Sequence, residues 1–147
     1  ICTDSTDGTE WEKWKVALEA GDKGSWEERV NRASVCKIDG KWLMWYTGQS
    51  RNNSAIGIAT SDDGIRFTRM QQKPILVPSE PYEKGSVMNP CVLWDKDEKI
   101  FKMWYAAVSN LNQMFFAMRK VKMALTGKGM QITLYLKSRM KSMINAR

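Results

Sequence analysis

The sequence predicts an all-β fold assembled from two copies of one unit. Lys41-Trp42-Leu43-Met44-Trp45-Tyr46-Thr47-Gly48 returns as Lys99-Ile100-Phe101-Lys102-Met103-Trp104-Tyr105-Ala106. Ser61-Asp62-Asp63-Gly64-Ile65-Arg66-Phe67 echoes Ser5-Thr6-Asp7-Gly8-Thr9-Glu10-Trp11, and Trp26-Glu27 is matched by Tyr82-Glu83. Between these landmarks β-branched and aromatic residues gather in short runs broken by Gly, Asp, Asn and Pro, with no long helical period through residue 110. The landmarks recur every 56 to 59 residues, a spacing a little above the roughly 40 to 50 of common propeller blades.

Taken in order, residues 30–38 form a strand, Asp39-Gly40 supplies a two-residue hairpin turn, and residues 42–47 return. A third strand spans 55–61. Asp62-Asp63-Gly64 turns the chain again, and 65–70 complete four strands. The Pro-bounded stretch 74–81 crosses to the second copy, whose first strand restarts at Val87 and carries Trp94 near its end. Four antiparallel strands and a crossover make a propeller blade. The expected fold is therefore a partial β-propeller of about two four-stranded antiparallel blades, followed by an irregular or helical basic tail.

That tail, residues 111–147, is a separate compositional region beside a propeller region at 1–110. It has no Asp, Glu or Trp, yet holds eight Lys or Arg and six of the ten Met. Residues 1–110 carry 15 basic and 16 acidic side chains, so the tail alone produces the overall +7. A charge confined this way does not mark the whole protein as a binder of nucleic acid or of an anionic membrane. Helical spacing of Met114, Met118, Val121 and Leu125 among basic residues would suit an amphipathic helix. The expected reading, ahead of that helix, is an out-of-frame continuation of the next blade. Codons shifted to begin at each third base force Asn or Asp followed by Gly across Lys122-Met123-Ala124. That Gly falls about 59 residues beyond Gly64, one blade period on.

The strands with Met44-Trp45-Tyr46 and Met103-Trp104-Tyr105, together with Ser61-Asp62-Asp63-Gly64, Lys73-Pro74-Ile75-Leu76 and Asn89-Pro90-Cys91-Val92, resemble the five-bladed β-propeller glycoside hydrolases, the set that includes families 43, 32, 68 and 130. The resemblance covers about residues 1–110, two of five blades. It implies a carbohydrate substrate held in an axial funnel and cleaved by carboxylates that project from the innermost strands and adjoining loops. Such chemistry needs two carboxyl groups, one to protonate the leaving oxygen and one to attack or to activate water.

Glu27 and Glu28 lie just before the first strand and Glu83 lies at the matching place in the second copy. Glu28 and Glu83 are the expected catalytic pair, against the ordinary reading of such residues as solvated loop carboxylates. The resemblance also implies an Arg-Asp-Pro element on an inner strand. Here Asn31-Arg32-Ala33 and Met88-Asn89-Pro90 stand at the aligned places, so an expected Asp is replaced by Arg and Asn. Arg32 and Asn89 are candidates for binding sugar hydroxyls or an anionic group, because Arg offers a bidentate fork and Asn both a donor and an acceptor. Trp26 and Tyr82, beside the loop carboxylates, are candidates for stacking on sugar. Trp45 and Trp104 repeat at equivalent positions and are expected between blades, as is Trp42 on the opposite strand face.

Absences narrow the chemistry. The chain has no His, which excludes a Ser-His-Asp triad, a Cys-His pair and any His-based metal site. Cys2, Cys36 and Cys91 are odd in number and lack metal spacing, so they are expected as small core residues. Neither a phosphate-cradling Gly-rich loop nor a run of 18 apolar residues is present. No cofactor, metal, nucleic-acid or membrane partner is expected. The two-blade product is expected to leave sheet faces uncovered, and a noncatalytic carbohydrate-binding propeller is the alternative function.

Overall fold

The computed structural model describes residues 1–51, 53–83, 85–108, 114–126, 129–135 and 141–142. Its strands are β1 (Arg29–Ile38), β2 (Lys41–Gln49), β3 (Ser54–Ser61), β4 (Thr68–Arg69), β5 (Ser86–Asp95), β6 (Ile100–Val108), β7 (Met114–Thr126), β8 (Gly129–Tyr135) and β9 (Lys141–Ser142), with one 3-10 turn at Pro81–Glu83. Antiparallel ladders join β1 to β2, β2 to β3 and β3 to β4, and again β5 to β6, β6 to β7 and β7 to β8. The expected β-propeller architecture is therefore present as two consecutive units, which we call blades 1 and 2.

Within each blade the local signals act as the sequence implies. Asp39 and Gly40 both take positive φ, 48° and 79°, the conformation that a tight hairpin requires. The Ser-x-Asp-Gly turn is held by its own side chains. The Ser61 hydroxyl accepts from the Gly64 N–H at 2.9 Å, and Asp63 Oδ1 accepts from the N–H groups of Ile65 and Arg66 at 2.8 and 3.0 Å. Ser5 and Asp7 repeat the device at 2.8, 2.8 and 3.0 Å. These bonds hold Asp63 down at about 2, with the Arg66 N–H the largest contributor. They also explain why the fourth strand is only Thr68–Arg69, shorter than the expected 65–70. The backbone donors of 64–66 are taken by side chains, and that of Phe67 by the Ala17 carbonyl at 2.8 Å.

The blades stack face on face. Leu43 and Trp45 of β2 and Ile56 and Ile58 of β3 meet Val92 of β5 and Phe101, Met103 and Tyr105 of β6 in one buried cluster. Trp45 lies against Phe101 at 4.9 Å between ring centroids and 55° between planes, an edge-tilted contact. The opposite face of blade 1, with Met44, Tyr46 and Trp42, is covered by Ala17, Leu18 and Phe67. Trp42 and Trp45 thus face opposite sides, as their spacing in a strand requires.

The tail differs from the irregular or helical expectation, since its described part is strand. The free edge of β6 presents a row of unpaired backbone groups, and β7 satisfies them from Met114 opposite Val108 to Val121 opposite Phe101. Ala117, Arg119 and Val121 are buried while Phe116 is exposed, a period of two that overrides the helical spacing of the methionines. Residues 111–113, 127–128, 136–140 and 143–147 of the expected tail lie outside the described residues.

Candidate functional site

By the antiparallel topology the loop before β1, the β2–β3 loop and the segment before β5 gather at one end of the two blades. At that end the first strand of each blade carries one extra residue. The β1–β2 register shifts between Asn31 and Ser34, and the β5–β6 register shifts between Met88 and Cys91. Arg32 and Asn89 sit in these β-bulges with φ of 51° and 55°, the left-handed region that Asn tolerates and Arg seldom adopts. The matching kinks aim the two side chains at each other. Arg32 Nη1 donates to Asn89 Oδ1 at 2.8 Å and lies 3.8 Å from the Met88 sulfur.

Bonds to side-chain hydroxyls of β1 and β2 hold β5 against blade 1. The Asn89 N–H donates to buried Thr47 Oγ1 at 3.0 Å, and the Val92 N–H to Ser34 Oγ at 3.0 Å. Asn31 Nδ2 donates to Gln49 Oε1 at 3.0 Å, which steadies the bulge on its other side. The sequence brings Arg32 and Asn89 to aligned places, and the structure brings them into contact.

The carboxylates fall into two kinds. Glu83 has no exposed surface, and both of its oxygens are engaged. It accepts from the Tyr105 hydroxyl, from the N–H groups of Ser79 and Glu80 at 2.8 and 3.0 Å, and from Arg119 Nη2 at 3.0 and 3.2 Å. Burial pushes its carboxyl up, but the Tyr105, backbone and Arg119 hydrogen bonds outweigh that and hold it below the ordinary value. Burial and the bond to Glu83 push the Tyr105 phenol far up. A carboxylate fixed this way organises its loop and has no lone pair left for a substrate, so its placement lends no support to the catalytic role expected of it.

Glu27 is the same device in blade 1. It accepts from the Tyr46 hydroxyl at 2.7 Å and from Arg69 Nε at 2.8 Å, and is likewise buried. Glu28, by contrast, is only half-buried and accepts from the Gly24 N–H at 3.1 Å. It borders an open recess of about 300 Å³ with Lys23, Ser50 and Arg51. A half-buried carboxylate on an open recess keeps a lone pair free for a hydroxyl.

Trp26 is set into the fold and is not presented as a free stacking platform. Its ring lies 6.0 Å from that of Tyr46 at 23°, and its indole N–H donates to the Gln72 carbonyl at 3.0 Å. A Cβ at Gly48 would fall 2.3 Å from the Trp26 ring, and one at Gly57 2.4 Å from the Tyr46 ring and 2.7 Å from Trp26, so the two glycines admit the stacked pair. Tyr82 is half-buried against the interblade core. The cysteines, expected as small core residues, lie at the core's margin or outside it: Cys2 and Cys36 are half-buried and Cys91 is exposed. Beyond its bulge β5 turns Cys91 to the same side as exposed Leu93, away from the first blade. Sequence reasoning missed the Glu–Tyr–Arg networks, although the coupled recurrence of Glu27 with Tyr46 and Glu83 with Tyr105 signals them.

Stacked four-stranded blades, matching bulges on the inner strands and a polar recess at their loop end define a propeller of the glycoside hydrolase type. The chain matches the glycosyl hydrolases family 32 N-terminal domain over residues 2–122 and belongs to that family. Its fold is similar to BT0996 in its RGII complex, with a TM-score of 0.65 at 16% identity over 92% of this chain and 35% of that one. It is also similar to a candidate glycoside hydrolase from Parabacteroides distasonis, with a TM-score of 0.53 at 18% identity over 80% of this chain and 49% of that one. The chain therefore spans about a third to a half of the structures it resembles. No curated protein matches it. No helix among the described residues is long and apolar enough to cross a membrane.

Proposed function

We propose that the chain supplies two adjacent blades of a propeller that acts on glycosidic bonds of oligo- or polysaccharides, and that its bulged first strands line one sector of the substrate funnel. The observation that carries this reading is the meeting of Arg32 and Asn89 at 2.8 Å, because matching bulges of neighbouring blades in contact are what inner strands facing a common axis would give. In this reading Arg32 and Asn89 hold sugar oxygens. Glu28 is the carboxylate placed to pass or take a proton, and it needs a second carboxyl group for bond cleavage. Trp26 and Tyr82 shape the loops around it.

The occupied state of Glu83 favours a second reading, in which this chain binds carbohydrate without catalysing cleavage. Titration calorimetry against a panel of oligosaccharides, paired with an assay for released reducing ends, separates the two. Turnover that falls at least about 100-fold in Glu28→Gln while binding persists, the scale of a lost general acid or base, supports catalysis. Binding without turnover supports the second reading. A chain that binds no saccharide sinks both.

A further inference from the structure

The bulge at Arg32 costs something to hold. A left-handed conformation is unfavourable for a long side chain, and such strain persists where the surroundings fix it, often at ligand sites. Gly or Asn would fit the position at less cost, and Asn does occupy the equivalent place in blade 2. Arg at the first bulge is therefore explained by its guanidinium, not by the backbone.

That guanidinium is only partly used. Nη1 is committed to Asn89, which fixes the plane of the group, while among the described residues no hydrogen bond is made through Nε or Nη2. Among the described residues no ion pair joins Arg32 to a carboxylate. Arg32 is exposed, whereas the less accessible Arg69 and Arg119 each have a glutamate, at 2.8 and 3.0 Å. The recess of about 150 Å³ beside Arg32, lined by Val30, Asn31, Ala33, Met44 and Tyr46, contains no acidic side chain. Nε–H and Nη2–H together form the edge of the fork that takes two oxygens of one oxyanion.

We propose that Arg32, oriented by Asn89, is an anion-reading residue that selects a sugar carrying an oxyanion over its neutral counterpart. The inference rests on the carbohydrate-binding reading above and adds the charge of the substrate to it. A uronate carboxylate and a sugar phosphate share this chemistry, and the test distinguishes them.

The experiment titrates the chain with galacturonate, galactose 6-phosphate and galactose, each against the parent and against Arg32→Gln, Arg32→Lys and Asn89→Ala. The expected result is at least about tenfold tighter binding of one anionic sugar than of galactose, about 1.4 kcal/mol by the affinity relation. Arg32→Gln abolishes the preference, and Arg32→Lys retains charge but loses the bidentate geometry and keeps only part of it. Whichever anionic sugar binds more tightly identifies the source of the oxyanion. Equal binding of all three sugars overturns the anion-reading role and leaves carbohydrate binding intact. Binding of none overturns both. A preference that survives in Arg32→Gln places the anion contact elsewhere and overturns the assignment. Circular dichroism of each variant, with Arg32→Asn as a bulge-compatible control, separates lost binding from lost folding.

Discussion

Blade 1 and blade 2 solve the same problem with different parts. Each buries a loop glutamate under a tyrosine hydroxyl and an arginine, Glu27 with Tyr46 and Arg69, and Glu83 with Tyr105 and Arg119. The glutamates and tyrosines come from equivalent positions. The arginines do not: Arg69 lies on the short fourth strand and Arg119 in the middle of the third. A buried carboxylate beside a phenol demands a cation, and the fold takes it from whichever strand can reach. The same pairing of positions separates Trp45, with 0% of its surface exposed, from Trp104, with 39%. Their sequence contexts match. What differs is that blade 2 covers the Trp45 face, while among the described residues nothing covers the face that bears Trp104, Leu93 and Phe116.

The widest break in this comparison comes from the tryptophans. Trp45→Ala is expected to lower stability by about 3–5 kcal/mol, the range for emptying a buried aromatic site, and Trp104→Ala by less than about 1 kcal/mol. Equal losses in urea titration would mean that the two faces are equally covered in solution.

The networks come next. Glu83→Ala leaves Arg119 charged and unpaired in a side-chain environment only 3% exposed, a change of about 3–5 kcal/mol. Glu27→Ala leaves Arg69, 20% exposed, with water as a partner and is expected to cost about 1–3 kcal/mol. Acid tests the same point with a definite sign. The folded Glu83 carboxyl lies below its ordinary 4.5, so its contribution is present above that pH and is lost as pH falls through the folded value. Glu83→Gln should flatten this acid limb of the stability profile. An unchanged limb would show that other carboxylates produce it.

The smallest intervention is a reading of nucleotides. If 111–147 continue the blade out of frame, the fifth position beyond the forced Gly takes its codon from the last base of Lys128 and the first two of Gly129, which allow only Arg or Gly. Arg69 stands five residues beyond Gly64. The expected codon is AGG, which would give blade 2 its own counterpart of Arg69 as the cation for Glu83. Sequencing the DNA decides it: GGG there, or a sound frame upstream, ends the idea.

Much of the fold was legible because it is local and repeated. Asp39-Gly40, Ser61-Asp62-Asp63-Gly64 and the alternation around Trp42 and Trp45 each act within a few residues. The helical spacing in the tail misled because a free strand edge outweighs weak periodicity. For the site, the alignment of Arg32 with Asn89 was readable, whereas their bulges were not, since nothing in Asn31-Arg32-Ala33 announces a positive φ. The network that holds Glu83 was hidden for a related reason. Its partners Ser79, Tyr105 and Arg119 come from three segments, and a carboxylate's availability depends on all of them.

A backbone rung, Ser54 beside Ser86 in parallel, spans the two blades, and further bonds between them run through Ser34, Thr47, Ser86, Arg32, Met88 and Asn89 side chains. In mechanical terms each blade is a stiff ladder, and the joint between ladders is a greased face pinned by hydroxyls. A load that separates the blades would therefore slide that face and spare the ladders, so the two units can part while each keeps its own strands.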